Sequence, residues 1–123
     1  MKVYLAGGFD SDWRSKIKSH HELIDPSEKE KSGNWSVKSY STWDKYAIQS
    51  CDVLFAYMER TNPSGIGLAC ELGYARGLGK FVILCIEPEH SYYKDSTLEF
   101  LTSFADNTFS NLELGIWFLN TLK

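Results

Sequence analysis

The 123-residue chain has no basic excess, no paired cysteines and no long apolar run. Its net charge is -3, and no stripe of Lys and Arg stands out. A run of phosphates needs clustered cations to neutralise it, so a nucleic-acid polymer is not an expected partner. A single small anion stays open, because one nest of backbone N–H groups can bind one phosphate. The cysteines Cys51, Cys70 and Cys85 are odd in number and form no C-x-x-C pair. Each lies in or beside an apolar run, so buried free thiols are expected, which suits a reducing compartment. No apolar stretch approaches the ~20 residues of a membrane span, so no membrane partner is expected. Met1-Lys2 leads straight into a short strand, without the pattern of a signal peptide. The expectation is a cytoplasmic protein with one domain over residues 1–123. A chain this size buries roughly two-thirds of its unfolded surface, so it needs no staples.

Several motifs are also missing. There is no Gly-x-Ser-x-Gly elbow and no P-loop. Gly65-x-Gly67 followed by Gly73 is not the dinucleotide fingerprint, because the third glycine comes too late. His20, His21 and His90 show no metal-ligand spacing with cysteines or acids. Neither a metal nor a cofactor is expected.

What is present alternates. Lys2–Ala6 reads as a strand ended by Gly7-Gly8, with Asp10, Ser11 and Asp12 able to cap a helix running through Trp13 and Ile17 toward His21. His21–Asp25 is a weak strand stopped by Pro26. Ser27–Ser36 reads as a polar surface loop containing Trp35. That tryptophan either covers a ligand or a neighbouring subunit, or pins the loop to its own core. Ser39–Ser50 reads as a helix capped by Ser41 or Thr42, with Asp44 in its first turn. Asp52–Tyr57 and Phe81–Ile86 are short apolar strands on either side of a glycine-rich helix. A helix near Thr97–Ser103, an irregular or short extended piece at Ala105–Phe109 and a terminal helix over Ser110–Leu122 follow. This order predicts an α/β fold: a parallel sheet with helices on both faces.

Glu71 is the only acid between Arg60 and Ile86. It lies about one and a half turns into its helix, and helical side chains lean toward the N-terminus. Its carboxylate is expected to point back at the glycine turn, where the helix dipole favours the ionised form. An ionised, positioned carboxylate is what a nucleophile at a sugar carbon must be. Gly73 within the helix costs ~1 kcal/mol against alanine, which close packing on the sheet would offset. The alternative is a solvent-facing glutamate that helps the dipole. Asp44 and Tyr4 are further candidates, with a helix-start acid and a core tyrosine as their alternatives. Tyr4 sits just before the Gly7-Gly8 turn, so its hydroxyl could reach the crevice at the strand ends. Asp106-Asn107 by itself is turn chemistry.

Val3-Tyr-Leu-Ala-Gly-Gly-Phe9, Asp44 with Ile48 and Asp52, Gly65-Ile-Gly-Leu-Ala-Cys-Glu-Leu-Gly-Tyr-Ala75 with Gly79-Lys80, and Ser103-Phe-Ala-Asp-Asn107 together resemble the nucleoside 2-deoxyribosyltransferase family. The resemblance spans nearly the whole chain and implies a flavodoxin-like sheet and cleavage of an N-glycosidic bond. It implies that Glu71 is the nucleophile at the anomeric carbon, that Tyr4 positions it, and that Asp44 binds the base and helps it leave. Gly7 and Phe9 would line the substrate. Asn107 matches a residue that reaches the sugar of a neighbouring subunit's ligand, which implies a homo-oligomer, dimer or higher. One departure stands out. Where the bacterial transferases carry a second base-contacting aspartate, this chain has Gly65. The related deoxynucleoside 5′-monophosphate N-hydrolases also carry a small glycine- and serine-rich turn there, so Ser64, Gly65 and Gly67 could hold a phosphate. The partners so implied are a nucleoside or nucleotide and a free nucleobase. Three activities follow from the resemblance: a transferase, a nucleotide N-glycoside hydrolase, or a non-catalytic nucleotide-binding domain.

Overall fold

The computed structural model describes residues 1–61, 65–90 and 93–123. The chain runs β1 (Lys2–Gly7), a 3-10 turn (Trp13–Lys16), β2 (Glu22–Ile24), α1 (Ser27–Glu30), α2 (Val37–Ser50), β3 (Val53–Met58), α3 (Gly65–Gly77), β4 (Phe81–Ile86), α4 (Asp95–Thr102), β5 (Asn107–Phe109) and α5 (Leu112–Leu119). The strands form one sheet in the order β2-β1-β3-β4-β5. Every neighbouring pair is parallel. This is the flavodoxin-like order, whose ligand crevice lies at the carboxyl ends of the strands where the order reverses, between β1 and β3.

The central strands are continuous apolar runs because both of their faces are covered. Alternate residues divide between two cores. Tyr4, Ala6, Leu54, Ala56, Val82 and Leu84 meet Ala47 and Ile48 of α2 and Leu68, Leu72 and Ala75 of α3. Val3, Leu5, Val53, Phe55, Ile83 and Cys85 meet Trp13, Ile17 and the α5 residues Leu112 and Leu119. Gly115 lets α5 close on the sheet, since a Cβ there would overlap Cys85 Sγ and crowd Phe55.

Several expected boundaries move, each for a local reason. The helix expected from Trp13 is only a 3-10 turn, and Asp12 makes no side-chain cap. The chain turns extended at Ile17, which is buried in the second core with Trp13, while His21 is buried with Nε2 3.2 Å from the Leu119 carbonyl. The Ser27–Ser36 loop contains the single turn α1 and ends in the cap of α2. Ser36 and Ser39 cap that helix reciprocally, so it starts before Ser41 and Thr42. Those two hydroxyls instead bond back to the Lys38 carbonyl, and Asp44 lies in the middle of α2 rather than its first turn. The short extended piece expected at Ala105–Phe109 is the edge strand β5: the Asp106 side chain accepts from the Val82 N–H, its backbone N–H donates to the Val82 carbonyl, and β5 pairs with β4 from there. Cys51 and Cys85 are buried as expected, but Cys70, on α3, is exposed.

Candidate active site

At the end of β1 the backbone needs a glycine. Gly7 has φ +151°, and a Cβ there would lie 2.6 Å from the Tyr57 carbonyl oxygen and 2.9 Å from Trp13 Cζ2. The carbonyls that leave the sheet at this point need donors. Arg14, 8% exposed, supplies them: its guanidinium donates to the carbonyls of Leu5, Gly7 and Gly8 at 2.8–3.3 Å. It also pairs with Asp25 at 3.3 Å. Burial lowers its pKa, and Asp25 leads the groups that oppose this. The turn Gly7–Phe9 is thereby fixed above β1.

Tyr4 is fully buried in the middle of β1, on the face that α2 and α3 cover. Its hydroxyl donates to Oε2 of Glu71. Burial first, then the charge of Glu71, push the Tyr4 pKa far above its ordinary value, so it stays a proton donor. Glu71 lies midway along α3, beyond the reach of the helix dipole, which fades within the first turn. The expected dipole control of its charge therefore gives way to burial. Desolvation pushes the Glu71 carboxyl up to about 7, the Tyr4 hydrogen bond opposes this, and Asp44 adds to it. Its other oxygen, Oε1, has no hydrogen-bond partner among the described residues.

Asp44 faces the same space from α2. Its Oδ1 accepts from Lys29 Nζ at 2.7 Å. Between α2, α3 and the β1 turn lies a cleft of about 730 Å³ lined by Gly7, Phe9, Asp44, Gly67 and Glu71. Five of the candidate residues are thus brought together, with Tyr4 behind Glu71. Gly65 is not with them. It lines a separate apolar cavity of about 470 Å³ between α3 and α4, where a Cβ would strike the Tyr93 ring. Ser64 lies outside the described residues. Asn107 is on the edge strand β5, paired with Ile83, and does not line the cleft. Sequence reasoning missed Glu30, Tyr40, Ser41, Lys45 and Tyr74, which also line it. Tyr40, Asp44 and Ile48 share one face at i, i+4 spacing, a signal that a helix start at Val37 would have exposed.

A buried, half-satisfied carboxylate opposite an ion-paired one, inside a nucleoside-sized cleft, suits attack on an electrophilic carbon. No group of three His, Cys, Asp or Glu that could hold a metal occurs among the described residues.

A family model described as nucleoside 2-deoxyribosyltransferase like matches residues 1–89. The chain belongs to that family. Glu71 and its partners Tyr4 and Asp44 all fall inside the matched part of this nucleoside 2-deoxyribosyltransferase-like chain, and Asn107 falls outside it. Among solved structures, a conserved protein from Enterococcus faecalis V583 is 23% identical, with a TM-score of 0.57 over 100% of this chain and 87% of that one. A CMP N-glycosidase from Clostridium botulinum is 17% identical, with a TM-score of 0.65 over 100% of both chains. These likenesses establish the fold. No curated protein sequence matches the chain.

Proposed function

We propose that the protein cleaves the N-glycosidic bond of a 2′-deoxynucleoside through a covalent intermediate on Glu71 and passes the sugar to a second nucleobase. The observation that supports this best is the Glu71 carboxyl, one oxygen held by Tyr4 and the other without a hydrogen-bond partner among the described residues, in a cleft shared with Asp44. Oε1 attacks C1′ as the C1′–N bond breaks. The electron pair leaves on the base nitrogen, which takes up a proton from water in the cleft, and the incoming base returns one to water as its N–H nitrogen becomes the glycosidic nitrogen. A ring nitrogen of the incoming base then attacks C1′ and the ester bond to Glu71 breaks, which regenerates the carboxylate. Tyr4 keeps its proton throughout and steers which oxygen attacks. This is the two-step logic of retaining glycosidases.

A second reading differs in the acceptor and in the substrate. Water in place of the second base makes the protein a hydrolase, with a nucleoside 5′-monophosphate as substrate. One observation favours it: the Clostridium botulinum neighbour that aligns over its whole length is named a CMP N-glycosidase. We also propose a cytoplasmic homo-oligomer. Ile66 and Phe100, 78% and 69% exposed, rim the apolar cavity between α3 and α4 and leave surface for a second copy.

One assay separates the readings. The protein is incubated with 2′-deoxynucleosides and with nucleoside 5′-monophosphates, with and without a free base, and the products are resolved by chromatography. Base exchange supports the transferase. Free base without exchange supports the hydrolase. Absence of turnover, with Glu71→Ala binding nucleoside as tightly as the parent, removes the catalytic reading and leaves a binding domain.

A further inference from the structure

Arg14, His21 and Lys29 are the buried polar or charged side chains among the described residues. Arg14 holds the end of β1, and His21 lies against the Leu119 carbonyl. Lys29 serves neither purpose. Burying an ammonium costs several kcal/mol unless it is paired and hydrogen-bonded. Lys29 Nζ donates to the Pro26 carbonyl at 2.9 Å and to Asp44 Oδ1 at 2.7 Å. It also lies 4.6 Å from the Trp43 ring centre and 6.0 Å from that of Trp35. Its side chain is 5% exposed and that of Asp44 18%.

The local structure that delivers this amine is costly. α1 has four residues, and a single turn has no stability of its own. It is held at its start by Asp25, whose Oδ1 accepts from the Ser27 N–H and hydroxyl at 2.9 and 2.6 Å while pairing with Arg14. Two ion pairs in series, Arg14–Asp25 and Lys29–Asp44, therefore connect the β1 turn to the acid on α2. Glu30, the neighbour of Lys29, lines the cleft, but Lys29 does not.

Resting on the roles proposed for Glu71 and Asp44, we infer that Lys29 is a positioning residue: from behind the cleft it fixes Oδ1 of Asp44, leaves Oδ2 to meet the base, and cancels the second negative charge of a two-carboxylate site. An Asp44 so paired meets the base as the anionic half of an ion pair, suited to accept an N–H from it. The site also has a charge problem that Lys29 relieves. Tyr4 from β1, Asp44 from α2, Arg14 from the 3-10 turn and Lys29 from α1 all bear on the Glu71 carboxyl. Asp44 pushes it toward the protonated, non-nucleophilic form, and Lys29 and Arg14 push it back. Two facing carboxylates without such a cation suppress each other's ionisation.

The decisive measurement needs no substrate. Carboxyl 13C NMR follows the titration of Glu71 in the parent, in Lys29→Met, in Asp44→Asn and in the double variant. Lys29→Met should move the Glu71 midpoint up by on the order of half a pH unit, about threefold in ionised fraction. Asp44→Asn should move it down, and the double variant should return it close to the parent. Should Lys29→Met leave the mostly buried Asp44 charge too poorly compensated for the chain to fold, the double variant against Asp44→Asn alone still isolates the lysine. Equal midpoints in those two proteins would overturn the inference. Kinetics on 2′-deoxynucleosides and nucleoside 5′-monophosphates form the second arm. Lys29→Met should raise KM and shift the acid limb of the pH profile upward, and Lys29→Arg should restore the limb. A uniform loss of kcat with an unmoved limb would mark a merely structural lysine. No turnover by the parent on any substrate would sink the proposed function, and the titration would still decide the role of Lys29.

Discussion

The two oxygens of Glu71 are in different circumstances, one held by the hydroxyl of Tyr4, whose proton is bound more tightly than usual, and the other without a hydrogen-bond partner among the described residues. The proposed attack needs the ionised form. With the carboxyl raised to about 7, kcat/KM should rise with pH through that value and level off above it. Stability should run the other way. The folded carboxyl titrates above its ordinary 4.5, so this group costs nothing below that pH and destabilises progressively as pH rises toward 7. At pH 8 a Glu71→Gln variant should therefore be inactive and more stable than the parent by up to about 3 kcal/mol, as read by denaturant unfolding. Tyr4→Phe removes the hydrogen bond that favours the carboxylate. Its acid limb should move to higher pH, and above the limb kcat should still fall by about a hundredfold, because the nucleophile is no longer aimed. A limb unmoved by this change would deny Tyr4 its role. Residue type and spacing made Tyr4, Asp44 and Glu71 candidates, each with a bland alternative, and the resemblance supplied their proposed roles. The structure puts Tyr4 in hydrogen-bond contact with Glu71 and Asp44 in the same cleft. The charge state of Glu71 was not legible, because it depends on how deeply α2 and α3 bury the carboxyl, and burial is a property of packing.

The elements show the same division. β1, β3 and β4 stand within a residue of their apolar runs, since strands covered on both faces leave an uninterrupted hydrophobic signal. The shortest pieces were less legible. The 3-10 turn and α1 span four residues each, too few for a period to show, and β5 was read only as an irregular or short extended piece. They exist because particular side chains hold them: Arg14 the first, Asp25 the second, Asp106 the third. Arg14→Met tests this directly. It strands the carbonyls at the end of β1 and leaves Asp25 without its cation, so the loss should be about 3 kcal/mol or more in thermal or denaturant unfolding. A change below about 0.5 kcal/mol would show that the turn holds itself.

At the scale of the molecule, a parallel sheet with two covered faces followed from the alternation of strand and helix patterns, and the flavodoxin-like strand order from the resemblance. The division of space around α3 did not. Its short glycine-rich sequence carries Glu71 toward one cavity and Gly65 and Ile66 toward another, and only the placement of α4 creates the second. If that apolar cavity seats a second copy, sedimentation should return a mass above the 14.1 kDa of one chain, and Phe100→Glu should lower it. The wall between the two cavities has a use of its own. Cys70 lines both, and it is the exposed cysteine, whereas Cys51 and Cys85 are buried with thiols pushed up by desolvation, Cys85 to about 12. A thiol reagent should accordingly label one sulfur of the folded chain promptly and the other two only after unfolding. The unmutated protein thus comes with a single attachment point for a fluorophore, set beside Glu71 in sequence, whose emission tests whether a nucleoside enters on one side and whether a second copy docks on the other.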